Sequence, residues 1–382
     1  MREKDYISLL VAGDIILGEN PEYYFRGVKD MLEQADVRVG QLEVAYSNRA
    51  PEFADLARDP ENMRPLKRYF DAVTLAGNHI YDAKEVGVED TLCWLQENNL
   101  PYVGGGMQID EARRPLILEK NETRIGFLNY NCVGPKRMFA TKTQPGCAGL
   151  EILAHYDMGE VANPGGMPIH ISTWPKWDDY CAMRRDIEAL RAQCDVLCVY
   201  FHKGIVHKPI ALADYERIVS QAAIEAGADV VFSSHSHILH GVEIYKGKTI
   251  YHGLGNFVTW VPSLAPGFRA KNGKSNDIFD PEEWARKRIE RFGFVPDPDY
   301  PTYPFHPEAV YAVAAKCVLR GGKLAESRLI PMIVGKDGAP YVVDREEGGE
   351  TVKAYLEKIT RGAGLNAQFS WDGDEMVISE HA

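Results

Sequence analysis

Apolar residues fall into short runs along this chain, and run after run ends on a side chain able to do chemistry. Val230, Val231 and Phe232 form one such run, with Gly227 behind and Ser233 and Ser234 ahead. This pattern predicts a buried strand that opens at its carboxyl end into a polar loop carrying His235 and His237. The stretch Ile7–Ala12 runs likewise into Gly13-Asp14, and Asp36–Glu43 alternates like a strand and ends in a carboxylate. Asp71–Ala76 leads to Gly77-Asn78-His79, and Asp195–Phe201 leads to His202. Between these runs the spacing predicts helices over 21–33, 67–70, 85–98, 178–193 and 212–227. Hairpins are predicted at 115–132, turning around Asn121, and at 242–252, turning at Lys246-Gly-Lys248. Strands alternating with helices make this a layered α/β protein.

Two stretches break the rhythm. Residues 133–177, rich in Gly, Pro, Met and Trp, are expected to form a loop over the site or a surface decoration. Residues 262–305 are charged and proline-rich and read as an irregular insertion or lid. Strands then return at 309–319, 328–333 and 341–343, followed by a helix over 351–361 and a last pair of strands. The expected organisation is a core over 1–261, the insertion over 262–305, and a C-terminal part, 306–382, completing the same domain.

Composition narrows the function classes. The chain has 382 residues, 45% hydrophobic and 26% charged, which is ample for a buried core. Its net charge of −12 argues against nucleic acid or an anionic membrane as the main partner. The start of the chain reads as charged residues leading straight into a strand, without a targeting signal, and no apolar run is long enough for a membrane span. Seven cysteines, with no CxxC spacing, read as free thiols. Cys93 and Cys198, within apolar runs, are expected in the core of a protein from a reducing cytoplasm.

Five strand ends thus deliver Asp14, Glu43, Asn78 with His79, His202, and His235 with His237. In extended backbone, positions i and i+2 face the same side, so His235 and His237 can converge on one centre. Carboxylates, an amide and imidazoles at equivalent topological positions make a mixed nitrogen and oxygen site for a divalent metal, one or two ions of Mn, Fe, Zn or Ca. Asn78 supplies a neutral oxygen, whereas the adjacent His79 points the other way and suits proton donation.

The order Gly13-Asp14, Leu42-Glu43, Gly77-Asn78-His79, His202, His235-Ser-His237 resembles the calcineurin-like metallophosphoesterase superfamily, and within it the poly-γ-glutamate capsule-synthesis (CapA-like) branch. Leu42-Glu43 in place of a second GDxxD block, and the tail Gly241, Gly247-Lys248, Gly255-Asn256-Phe257, are similar to that branch. The resemblance covers roughly residues 5–260. It implies a four-layer αββα sandwich of two mixed sheets. It makes Glu43 a bridging ligand, with Asp14 and His237 on one metal and Asn78, His202 and His235 on the other, while His79 protonates a leaving group. The pattern departs at Ile16, where the superfamily's DxH block has histidine, and at Ser234, where it has glycine. Loss of the histidine predicts a weaker site and one firmly held metal.

The resemblance implies a hydrolase of phosphoester or glutamyl/peptide substrates, using metal-activated water and Asp14 within the reacting centre. Alternatives are a metal-assisted Cα epimerase acting on a peptide, and a non-catalytic binding component of poly-γ-glutamate synthesis. The expected partner is a small-molecule or peptide substrate. Outside the matched block, His306 lies between Phe305 and Pro307 in a braced segment that suits substrate contact or acid–base work. His207, His240 and His252 are lesser candidates, near the site in sequence only.

Overall fold

A computed structural model describes residues 6–49, 58–157, 170–262 and 281–380. In its N-terminal half, strands β1 (Ile7–Ile16), β2 (Val37–Leu42), β3 (Ala72–Thr74), β4 (Tyr102–Val103), β5 (Gly105–Gly106), β6 (Leu116–Lys120), β7 (Thr123–Asn131), β8 (Gly146–Cys147), β9 (Ile152–Asp157) and β10 (His170–Pro175) alternate with helices. Those helices are α1 (Lys29–Gln34), α2 (Leu66–Tyr69), α3 (Lys84–Glu97), α4 (Ile109–Ala112) and α5 (Trp177–Arg191). Beyond them come β11 (Val196–Lys203), α6 (Asp214–Glu225), β12 (Val230–His235), β13 (Val242–Tyr245), β14 (Lys248–Tyr251) and β15 (Asn256–Thr259). The C-terminal part holds α7 (Pro281–Phe292), β16 (Tyr311–Arg320), β17 (Lys323–Val334), β18 (Pro340–Val342), α8 (Glu350–Gly362), β19 (Ala367–Asp372) and β20 (Glu375–Glu380).

Two mixed sheets result. The first runs β19-β20-β17-β16-β1-β2-β3-β4, parallel from β1 to β4 and antiparallel from β1 through β16 outward. The second runs β13-β14-β12-β11-β7-β6, parallel across its four central strands. Because β16 pairs with β1, the C-terminal strands extend the first sheet.

Strand alternation sorts the core into layers. In β11, Val196, Cys198 and Tyr200 face the other sheet, while Leu197, Val199 and Phe201 face α5 and α6. In β1, Leu9 and Val11 face inward, and Leu10 and Ala12 face the outer helices. The order is helices, sheet, sheet, helices, the αββα sandwich expected from the sequence. Burying each large apolar side chain contributes about 1.5–3 kcal/mol, so these three interfaces carry the stability of the fold.

One break in alternation positions the site. Leu10 and Ala12 point to the helices, and an unbroken strand would send Asp14 after them. The β1–β2 register instead slips between Ala12 and Asp14, pairing Asp14 with Gln41. This bulge turns Asp14 into the space between the sheets. Gly13 permits it, since a Cβ there would meet the Gly255 carbonyl oxygen at 2.0 Å.

Several local expectations are corrected. Residues 21–33 form not one helix but a 3-10 turn, Pro21–Phe25, followed by α1. In the stretch 262–305, read as irregular throughout, the described residues 281–292 form α7, whereas 293–305 carry neither helix nor strand. Pro281 opens that helix and i,i+4 pairs Glu283–Lys287 and Arg286–Glu290 brace it. Residues 133–177 build the β9–β10 hairpin, which docks on α6 through Thr173 and Asp214, while 158–169 lie outside the described residues. The start of that stretch borders the site, where Gly134 approaches Asn78. At the end of α5, Arg191 pairs with Asp229 at 2.6 Å and donates to the carbonyls of Cys194 and Asp195. Cys93 is exposed rather than in the core, Cys198 is buried, and no cysteine pairs with another.

Candidate metal centre

The carboxyl ends of β1, β2, β3, β11 and β12 meet between the sheets, the usual position for a site in a layered α/β protein. Asp14, Glu43 and His202 are fully buried there, and His235 nearly so. His202 Nε2 lies 2.7 Å from Asn78 Oδ1, 3.2 Å from His235 Nδ1 and 3.6 Å from Glu43 Oε1. His237 Nε2 lies 3.5 Å from Glu43 Oε1, and its Nδ1 lies 3.8 Å from Asp14 Oδ2. Two groups of ligand-type atoms follow, each within 4.8 Å: Glu43, His202 and His235, and Asp14, Glu43 and His237. Glu43 belongs to both.

Neighbouring groups orient the rings. His237 Nδ1 is 2.9 Å from Asn256 Oδ1; donating to that oxygen leaves Nε2 with a lone pair facing Glu43. Ser234 Oγ is 3.3 Å from His202 Nδ1 and steadies that ring, so the Ser234 departure supplies a polar partner that glycine would lack. The loop is also strained, with φ of +100° at His235 and +52° at His237. His235 in that conformation points its backbone N–H at Asp14 Oδ2, 2.9 Å away. Backbone held so far from its preferred region costs on the order of 1–3 kcal/mol and gathers at functional sites.

The electrostatics ask for a cation. Both Glu43 oxygens and Asp14 Oδ1 are buried without a hydrogen-bond partner. Burial, and then the Glu43 charge, raises the Asp14 pKa to about 8. Burial, with Asp82 adding to it, raises that of Glu43 to about 7. Burial drives His202 and His235 far below their ordinary range, so both are neutral and able to offer lone pairs. Glu43 without a donor and Asp14 with one bare oxygen, beside neutral imidazoles, fit a divalent cation.

His79 stands apart from that set. Its side chain is 37% exposed at the rim and its Nδ1 bonds Asp82 closely. Burial opposes protonation, but Asp82, Glu43 and Asp14 outweigh it and lift the pKa to about 9. These carboxylates therefore favour the charged form of the ring at neutral pH. Ile16 joins the apolar core on the helix side, so it offers the centre nothing.

His306 is near the centre but not in it. Its Nδ1 accepts from the Glu308 backbone N–H at 3.0 Å, and its ring packs on Phe294 and His207. His207 sits between it and His237, at 6.1 Å from the latter ring. His240 and His252 lie elsewhere, beside a buried Lys203–Glu216 pair on the helix side of β11. Sequence reasoning missed Asp82 and gave Asn256 no role. Asn256 was legible only as part of Gly255-Asn256-Phe257; Asp82, three residues after His79, carries no separate signal.

Residues 8–260 match the model of the bacterial capsule synthesis protein PGA_cap family. The chain belongs to that family. Similar proteins include the capsule biosynthesis protein CapA of Bacillus anthracis, 25% identical over 67% of this chain and 61% of that protein. The PGA biosynthesis protein CapA of Bacillus subtilis is 26% identical over 66% of this chain and 63% of that protein. The chain thus spans less than two thirds of the length of these relatives. A calcineurin-like phosphoesterase, YfkN of Bacillus subtilis, superposes with a TM-score of 0.44 at 14% identity, over 94% of this chain and 97% of that structure. Among the described residues no helix is long and apolar enough to cross a membrane.

Proposed function

We propose that this PGA_cap protein is a metal-dependent hydrolase acting on a phosphoester or a glutamyl/peptide bond. The observation that carries the reading is Glu43, wholly buried, with both oxygens lacking donors, between two imidazole groups. Such a carboxylate is costly unless it binds a cation. Asp14, Glu43 and His237 would hold one ion, and Glu43, Asn78, His202 and His235 a second. An ion there supplies charge neutralisation and polarises an oxygen of water or substrate.

The chain's own residues do the rest. Asn256 and Ser234 fix the rings of His237 and His202, so the lone pairs need no reorganisation. His79, held by Asp82 and charged at neutral pH, delivers a proton to the leaving atom from the rim. His306 faces substrate from beyond His207. The relative from Mycobacterium tuberculosis named a probable polyglutamine synthesis accessory protein, 27% identical over 48% of this chain, favours a second reading as a non-catalytic component of polymer synthesis.

Purified protein loaded with manganese decides between them. Turnover of a phosphodiester or a γ-glutamyl peptide, abolished by EDTA and reduced ~10²-fold or more in His79→Ala, is the expected result. Deuterium entering an unbroken peptide from heavy water would replace hydrolysis by epimerisation. Manganese binding with no turnover of any substrate would support the accessory role.

A further inference from the structure

The ring of His237 stands at one end of a file of buried hydrogen bonds. Its Nδ1 is 2.9 Å from Asn256 Oδ1, and Asn256 Nδ2 donates to Tyr303 Oη at 2.9 Å. Tyr303 Oη donates in turn to the Ala309 carbonyl oxygen at 2.8 Å. Asn256 and Tyr303 are 2% and 3% exposed, so their polar groups depend on one another and not on bulk water.

The far end of the file fixes its direction. A carbonyl oxygen only accepts, so the single hydroxyl hydrogen of Tyr303 goes to Ala309. Toward Asn256 the phenol oxygen is then left to accept, which turns the amide nitrogen to Tyr303 and the amide oxygen to His237. An oxygen facing Nδ1 places the ring's hydrogen there, and Nε2 keeps the lone pair that faces Glu43 Oε1 at 3.5 Å. With the amide turned over, its nitrogen would donate to Nδ1, and the ring's hydrogen would move to Nε2 and point at the centre. Asp14 Oδ2, 3.8 Å from Nδ1, is too far away to hold that hydrogen instead.

The segment that carries Tyr303 is tied down beside β15. The Thr302 carbonyl accepts from the Val261 N–H at 3.1 Å, two residues beyond the end of the strand that bears Asn256. Pro304 and Pro307 restrict the backbone that follows. Phe305 lays its ring against His237, with centroids 5.1 Å apart, and against Tyr303 at 4.7 Å. A stretch with neither helix nor strand therefore reaches one imidazole both by packing and by a directed hydrogen-bond file.

We propose that Tyr303 is a positioning residue for the metal centre: through the Asn256 amide it sets the tautomer of His237, and it thereby brings the 293–305 segment into control of metal binding. The proposal rests on the metal-centre reading above.

The test reads the tautomer directly. Long-range proton–nitrogen spectra of metal-free, histidine-labelled protein are assigned by the signal missing from His237→Gln. They should show hydrogen on Nδ1 in wild type and a mixture of tautomers in Tyr303→Phe. Calorimetric titration with manganese should give a Kd about tenfold higher for Tyr303→Phe. Asn256→Asp supplies the rescue, because both carboxylate oxygens accept and neither orientation presents a donor. On that background Tyr303→Phe should change the Kd less than about twofold. Hydrogen on Nε2 in wild type overturns the proposal without any variant having to fold. An unmoved tautomer in Tyr303→Phe overturns it too, as does an equal rise in Kd on both backgrounds, which would mean that Tyr303 acts by packing alone. Each of these, in a wild type that binds manganese, leaves the metal reading standing. Wild type that binds no manganese overturns both.

Discussion

Glu43→Gln should act with opposite signs in metal-free and metal-loaded protein. Its carboxyl pKa is raised by burial from 4.5 to about 7. A group whose folded pKa exceeds its unfolded value binds more protons folded than unfolded between those pH values, so this carboxylate costs stability as pH rises through that window. Above pH 7 the whole shift is felt, about 3 kcal/mol at 1.36 kcal/mol per unit. Glutamine removes the charge and with it that cost. Its amide gives back about 1–3 kcal/mol as an imperfectly paired buried group, at every pH. The pH dependence isolates the charge: between pH 5 and pH 8 the mutant should gain about 2.5 kcal/mol on wild type. With an unfolding entropy of about 2.1 cal/mol/K per residue over this length, that is about 3 °C in Tm.

Thermal melts in EDTA at the two pH values measure this difference. Adding manganese at about a thousand times its Kd should then stabilise wild type by about 4 kcal/mol and the mutant by much less, because the carboxylate shared by both ligand groups is gone. The reasoning is refuted if the mutant loses ground to wild type between pH 5 and pH 8. It is equally refuted if manganese lifts both melts alike.

Asn256→Ala frees the His237 ring and should weaken manganese binding about 10–100-fold, measured by calorimetric titration; an affinity equal to wild type would mean the ring is held by something else. Asp82→Asn removes the carboxylate that keeps His79 charged, so the alkaline limb of turnover should move down by about 1–2 pH units, and an unmoved limb would exclude His79 as the acid. Lys203→Met strands Glu216 in the helix-side core and should cost about 3–5 kcal/mol in urea denaturation, largely recovered in the double variant with Glu216→Gln; a loss under about 1 kcal/mol would show that Glu216 finds another partner.

The strand ends were legible because buried parallel strands are near-continuous apolar runs, and a carboxylate or imidazole breaking such a run stands out. Five of them gave the centre its residues and the layered fold its order. The bulge at Gly13 was not legible. A glycine before an aspartate has many meanings in sequence, and only the register of β1 on β2 shows that it turns Asp14 inward. Helix α7 was hidden for a different reason: its i,i+4 pairs are local and readable, but proline-rich flanks drew the whole stretch toward an irregular reading.

The groups that tune the centre were hardest to read, since each acts across the fold and not along the chain. Asn256 reaches His237 from β15, and β15 lies beside Asp14 only because it pairs in parallel with β1. Ser234 looked like a minor departure from a glycine. Its hydroxyl is useful only once β11 has set His202 opposite it in register. Tyr303 stands at one further remove. It lies in a stretch read as irregular, and its hydroxyl gains meaning only from Asn256 and the Ala309 carbonyl on either side of it. Ligand residues announce themselves by type, whereas the groups that aim them are defined by sheet register. That is why the chemistry of this centre could be read from the strand ends while its tuning had to be read from the fold.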